Sequence, residues 1–113
     1  MHEMSLAEGM LQLVEEGARR NAASGVKAVW LEIGALSQVE VDSLRFCFDA
    51  VTRGSLAEGA RLEIVTKPGL AWCMPCGTQV PIARRGDACP QCGSHQLQVT
   101  GGERMRVLDI EIE

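Results

Sequence analysis

Four of the five cysteines fall between residues 73 and 92 as two pairs, Cys73-x2-Cys76 and Cys89-x2-Cys92. Two residues between sulfurs let both side chains of a pair reach one ion at ~2.3 Å, and two such pairs supply a closed thiolate tetrahedron, the donor set of structural zinc. Gly77 and Gly93, directly after each pair, allow the positive φ that so tight a turn needs. The 12 residues between the pairs carry Pro81 and Arg85-Gly86-Asp87, turn chemistry that folds the second pair back onto the first. Two disulfides or a thioredoxin-like redox pair are the rival readings. No βαβ pattern flanks either pair and nothing marks secretion, so the spacing predicts Zn(II) on Cys73, Cys76, Cys89 and Cys92.

A chain of 113 residues is one domain's worth, with room for a smaller insertion. Hydrophobic residues make up 46%, yet there are only two Trp, two Phe and no Tyr, so the core is aliphatic and a metal is a useful staple where apolar side chains run out. The opening Met-His-Glu does not read as a signal peptide, and no apolar run is long enough to cross a bilayer. The expectation is a cytoplasmic protein with no membrane partner, where thiols stay reduced. A net charge of −4 argues against nucleic acid, whose phosphates are bound by Lys and Arg.

Along the chain, Ser5-x-x-Glu8 reads as a capping box opening a helix with Leu6, Met10, Leu13 and Val14 on its apolar side, leaving His2 and Glu3 just outside it. Val29, Leu31 and Ile33 alternate with Ala28, Trp30 and Glu32 in a strand closed by Gly34. A second capping box, Ser37-x-x-Glu40, predicts a helix with Val41, Leu44, Cys47, Phe48 and Val51 inward. Leu62 and Ile64 mark a second strand ended by Pro68-Gly69. Short strands are expected near 79–83 and 96–100. In the last strand the apolar phase switches from Met105 and Val107 to Leu108, Ile110 and Ile112, which predicts a bulge near Val107 and Leu108. The fold class is therefore α+β: a small mixed three-stranded sheet with two helices, plus an inserted four-cysteine zinc ribbon. Residues 1–68 and 102–113 are assigned to the α/β domain and 69–101 to the ribbon.

A second metal site is possible at the first residues. The amine of Met1, the amide nitrogen of residue 2 and the imidazole of His2 can close fused chelate rings, with Glu3 or another group completing the plane. Nitrogen-rich tetragonal sets suit Ni(II) or Cu(II). Residue chemistry alone leaves this open against an exposed histidine that binds nothing.

The opening Met-His-Glu-Met-Ser-Leu, the central Leu-Glu-Ile-Gly-Ala-Leu-Ser-Gln-Val with Leu-Arg-Phe after it, the two cysteine pairs and the closing Gly-Glu-Arg-Met-Arg-Val-Leu-Asp-Ile-Glu resemble the HypA/HybF family over essentially the whole chain. That resemblance implies a nickel metallochaperone for [NiFe]-hydrogenase maturation. It implies Ni(II) on His2 with the Met1 amine and Glu3, and structural Zn(II) on the four paired cysteines. As partners it implies the GTPase HypB and the hydrogenase large-subunit precursor.

The remaining chemistry-bearing residues have plainer readings. Cys47 lies on an apolar helix face as a small core residue. His95 is a possible substitute for one thiolate, but four cysteines already close the tetrahedron. Glu40 is accounted for by the helix terminus, with a carboxylate for nickel as the alternative. Arg84-Arg85 reads as a solvated turn. Phe46 falls off the apolar stripe, as a contact surface or a satellite of the core. A closed zinc set and only two histidines leave no catalytic constellation, so the expectation is a non-enzymatic carrier. The alternative is a zinc ribbon serving as a nucleic-acid or protein interaction module, and monomer and homodimer both stay open.

Overall fold

A computed structural model describes residues 2–113, and the expectation placed on Met1 lies outside them. The described chain runs α1 (His2–Arg20), β1 (Val26–Gly34), α2 (Val41–Val51), β2 (Arg61–Lys67), β3 (Gly69–Cys73), β4 (Thr78–Ile82), β5 (Leu97–Gly101) and β6 (Met105–Ile112). The strands form two three-stranded sheets, ordered β2-β1-β6 and β4-β3-β5.

In α1 the buried positions Ala7, Met10, Val14 and Ala18 recur every three or four residues, one face of a helix. Glu3 in the first turn and Arg19 and Arg20 in the last complement the helix dipole. The helix already includes His2, ahead of the expected capping box. Ser5 and Glu8 are exposed residues inside it, and His2 and Glu3 form its first turn. Its first turn carries a tertiary contact, the Glu3 carboxylate accepting the Glu40 N–H at 3.2 Å.

The second capping box is also absent. The Ser37 hydroxyl donates to the Gly34 carbonyl at 2.7 Å, so it is spent on the turn after β1. The chain then passes Gln38 at φ +62 and enters α2 through Glu40, an extended residue with no side-chain cap. Leu44, Cys47 and Phe48 of α2 are buried as the periodicity predicts. Thr52 ends the helix, its hydroxyl donating to the Phe48 carbonyl at 2.8 Å, so this buried polar side chain is satisfied.

Central β1 places Val29, Leu31 and Ile33 in the core. Its Gly34 N–H donates to the Arg104 carbonyl at 2.8 Å, while the Glu113 N–H donates to the Gly25 carbonyl at 3.0 Å; β1 and β6 therefore run antiparallel. The Ala35 N–H donates to the Lys67 carbonyl at 2.8 Å and joins the ends of β1 and β2, which run in the same direction with α2 between them. The sheet is mixed, as expected. In β6 the inward side chains are Met105, Val107 and then Ile110, so the phase slips across Leu108 and Asp109, one residue beyond the predicted point. Ile110 packs on α1, where a Cβ added to Gly17 would come within 3.3 Å of it. Leu108 and Ile112, read as inward from the alternation, are 42% and 36% exposed.

The expected ribbon strands appear as β4 and β5, but the central strand β3 was not anticipated. Gly69–Cys73 pairs antiparallel with both neighbours, with Trp72 opposite Gln79 on one side and Gln98 on the other. Ala71, Ile82 and Leu36 share one small core, and Cys73, Val80 and Cys89 share the next. The chain contacts gather into two compact units: residues up to Leu31 with Val39–Val65 and Arg106–Glu113, and Glu32–Gln38 with Thr66–Met105. Within the second, backbones cross at van der Waals distance. A Cβ on Gly34 would collide with the Gly102 carbonyl, and Gly102 itself holds φ +80, so both positions require glycine.

Candidate metal centre

Each cysteine pair is built as the same closed turn. The Gly77 N–H donates to the Cys73 carbonyl at 2.8 Å, and the Gly93 N–H donates to the Cys89 carbonyl at 2.8 Å. Both glycines hold positive φ, +62 and +77. Cys73 ends β3, which fixes the first turn to the sheet, and the Met74 N–H donates to the Gln96 carbonyl at 3.0 Å, which ties it to the chain leading into β5. The second turn is held by the Cys89 N–H donating to the Ser94 carbonyl at 2.8 Å.

These turns bring four sulfurs, 16 residues apart between corresponding cysteines in sequence, within 4.8 Å of one another. Cys73 and Cys92 Sγ atoms are 3.6 Å apart, Cys76 and Cys89 4.0 Å. A regular tetrahedron with sulfurs ~2.3 Å from its centre has edges of ~3.8 Å, so the four are set for a single ion rather than for disulfides at ~2.05 Å. All four cysteines are unbridged. Cys73 and Cys89 are buried, Cys76 is half-buried and Cys92 is exposed, which gives the centre one open side.

The environment already favours charge at one sulfur. Burial works against the Cys89 thiolate, yet the backbone N–H groups of Cys92 and Gln91 outweigh it and bring the thiol down to about 7. The Gln91 N–H lies 3.4 Å from the Cys89 sulfur. Cys76 is pushed up to about 12, first by the Cys92 and Cys73 side chains and then by burial. Burial is also the main cause that raises Cys73. A divalent cation among the four sulfurs would reverse both rises, because a coordinating thiol gives up its proton.

His95 is exposed and lies outside the four-sulfur group. Cys47 is buried in the helix core at 1% exposure. His2 and Glu3 are successive residues of the first turn of α1, His2 exposed and Glu3 half-buried. The Glu3–Glu40 contact was not foreseen. It joins residues 37 apart through a main-chain donor, and a backbone N–H leaves no signature in sequence.

The described residues thus form a small α/β protein carrying a four-thiolate ribbon, a metal-handling architecture. The chain belongs to the HypA family: the family model described as "Hydrogenase/urease nickel incorporation, metallochaperone, hypA" matches residues 1–112. It is 65% identical over 113 residues to the hydrogenase maturation factor HypA of Azotobacter vinelandii and 66% identical to that of Azotobacter chroococcum mcd 1, covering all of each. Its fold is similar to the solution structure of the Ni metallochaperone HypA from Helicobacter pylori, at TM-score 0.69 and 28% identity, covering 97% of this chain and 96% of that one. A second solution structure of a HypA protein matches at TM-score 0.73 and 29% identity, covering 100% and 97%. Members of this family are maturation factors, not catalysts.

Proposed function

We propose that this chain binds Ni(II) at its amino terminus and delivers it for maturation of [NiFe]-hydrogenase, with Zn(II) held on Cys73, Cys76, Cys89 and Cys92. The observation that carries the nickel reading is the position of His2 and Glu3 in the first turn of α1. Amides of a first helical turn have no acceptor within the helix. The His2 amide nitrogen is therefore outside the α-helical ladder and suited to bind a metal together with the exposed imidazole and the Met1 amine. Glu3 is the next residue of the same turn, with one carboxylate oxygen accepting the Glu40 N–H.

Zinc would supply the four sulfurs with positive charge and contribute its binding energy to ribbon folding. The converging sulfurs and their two matching turns support that role. Thiolate ligands also suit a compartment that keeps thiols reduced, which supports the cytoplasm. The partners proposed are HypB and the hydrogenase large-subunit precursor, in keeping with the maturation role of the family.

Delivery is tested by loading the full chain with 63Ni, separating unbound metal, and adding purified large-subunit precursor with HypB and GTP. Label is expected to move to the precursor from the unaltered chain and not from His2→Ala. Transfer at equal rate and extent from both would contradict a carrier role for these residues.

A further inference from the structure

A cleft of about 370 Å³ lies on the second compact unit, lined by Ala35, Leu36 and Gln38 from the turn after β1 and by Ala83, Arg84 and Arg85 after β4. We infer that this cleft is a docking site for a carboxylate-bearing segment of a partner polypeptide. Nothing in the nickel or zinc assignment requires it, and it stands or falls separately from them.

The chemistry of the lining points to an anion. Two arginines and one glutamine line the cleft together with two alanines and a leucine, the usual composition of a recognition site with a few polar groups set in apolar walls. The Arg84-Arg85 turn is rigid: the Asp87 carboxylate accepts the Ala83 and Arg84 N–H groups, each at 3.0 Å, and Gly86 takes φ +88. Across the cleft Gln38 is a non-glycine residue held at φ +62, an unfavourable conformation of the kind found at binding sites.

Charge distribution agrees. The unit that carries the cleft has four cationic and three acidic side chains, a formal +1 that becomes −1 with zinc on four thiolates, whereas the other unit has seven and twelve, a formal −5. An acidic segment is therefore repelled far less by the first than by the second, and the local attraction comes from Arg84 and Arg85.

The choice of carboxylate over phosphate rests on the partner that Arg85 already has. Arg85 donates to the Glu103 carboxylate at 2.9 Å, so one guanidinium is pre-set for a planar carboxylate supplied by the chain itself. That pair is nearly half exposed on both sides, and such pairs are weak enough for an incoming carboxylate to displace Glu103. Arg84 makes no side-chain hydrogen bond or ion pair among the described residues and offers a second fork. Asp87 on the same turn would oppose a dianionic phosphate more than a single carboxylate.

The test uses the full zinc-loaded chain and an end-blocked peptide of about eight residues alternating glutamate with alanine, followed by amide NMR. Shifts are expected at Ala35, Leu36, Gln38, Ala83, Arg84 and Arg85, weakening with salt. Arg84→Gln should lower affinity about fivefold or more, whereas Glu103→Gln, by releasing Arg85, should raise it about threefold. Neither position is in the core, and unchanged spectra elsewhere verify folding. A glutamine-for-glutamate peptide that binds only when its carboxyl terminus is left unblocked would support the site and assign it to a chain end. Equal binding of the fully blocked glutamine peptide, tighter binding of inorganic phosphate or oligothymidylate, or no shifts with any carboxylate peptide would each overturn the inference.

Discussion

The main-chain N–H of Glu40, the residue that precedes α2, donates to the carboxylate of Glu3 in the first turn of α1, 3.2 Å away. Glu3 thus does for α2 what a local cap does for other helices, and it does so from a neighbouring helix terminus. Glu40 has no side-chain cap of its own, and Ser37, which stands where a cap was expected, is turned toward Gly34.

Replacing Glu3 by Ala should accordingly cost about 0.5–1 kcal/mol of folding stability, the lower part of the range for loss of a cap, because the contact is exposed. Glu3→Gln keeps an acceptor oxygen and should cost less. Urea midpoints of the zinc-loaded protein measure both. Equal loss in the two variants would mean that charge at the helix terminus, not the hydrogen bond, is what Glu3 contributes.

Removing zinc should loosen one part of the chain selectively. Cys73 and Cys89 are core residues of the ribbon as well as proposed zinc ligands, packed with Val80. With a strong chelator, amide exchange at Ala71, Val80 and Cys73 should accelerate while Leu44, Cys47 and Phe48 of α2 keep their protection. Cys92→Ala should reproduce the pattern. Loss of protection in α2 at the same chelator concentration would show that the metal supports the whole fold.

Proton release on zinc binding should depend on pH with a definite sign. In the metal-free ribbon Cys89 titrates at about 7 and Cys76 at about 12. Below 7 zinc must displace the Cys89 proton; above it that proton has already left, while Cys76 still holds its own. The number of protons released should therefore fall by about one between pH ~6 and ~8. Calorimetry in buffers of different ionisation enthalpy counts them. A constant count across that window would contradict the backbone stabilisation of the Cys89 thiolate.

Two glycines should respond in opposite directions to alanine. At Gly34 a Cβ meets the Gly102 carbonyl and neither backbone can withdraw without disturbing the Leu36 N–H bond to Gly102 at 2.8 Å. Gly34→Ala should destabilise by about 2 kcal/mol or more, as overpacking does. Gly9 lies inside α1 with nothing within 4 Å of an added Cβ, and Gly9→Ala should stabilise by about 0.5–1 kcal/mol. Denaturant unfolding of the two variants side by side checks the contrast.

What could be read from sequence divides by the range of the interaction. The cysteine pairs were legible because a metal knuckle is local: each turn closes over five residues, and only the joining of the two turns required the fold. Helix faces were legible for the same reason, as Leu44, Cys47 and Phe48 show, but Leu13, placed on the apolar side of α1, is 59% exposed. Both capping boxes failed because a serine with glutamate three residues on does not by itself fix a helix start: Ser37 is spent on the turn carbonyl of Gly34, and Ser5 lies inside a helix that already includes His2. Strand β3 was missed because Pro68-Gly69 reads as a turn, and Gly69 is needed for the close passage of Leu36 and the Ile82 carbonyl. Leu108 and Ile112 were placed inward because alternation gives the phase of a strand without saying where that phase slips.

The central claim is that the amino-terminal nitrogen atoms form the nickel site and the ribbon does not. Ni(II) titration of the unaltered chain, a form extended by two residues before Met1, and His2→Ala tests it most directly, with zinc content measured in each. Ni(II) affinity is expected to fall at least about tenfold in both altered forms while zinc stays at one per chain. It should also fall in the unaltered chain as the solution is made more acidic, because nitrogen ligands must be unprotonated to bind the metal. Equal affinity in the unaltered and extended forms would remove the Met1 amine from the site, and equal affinity in all three would contradict the account.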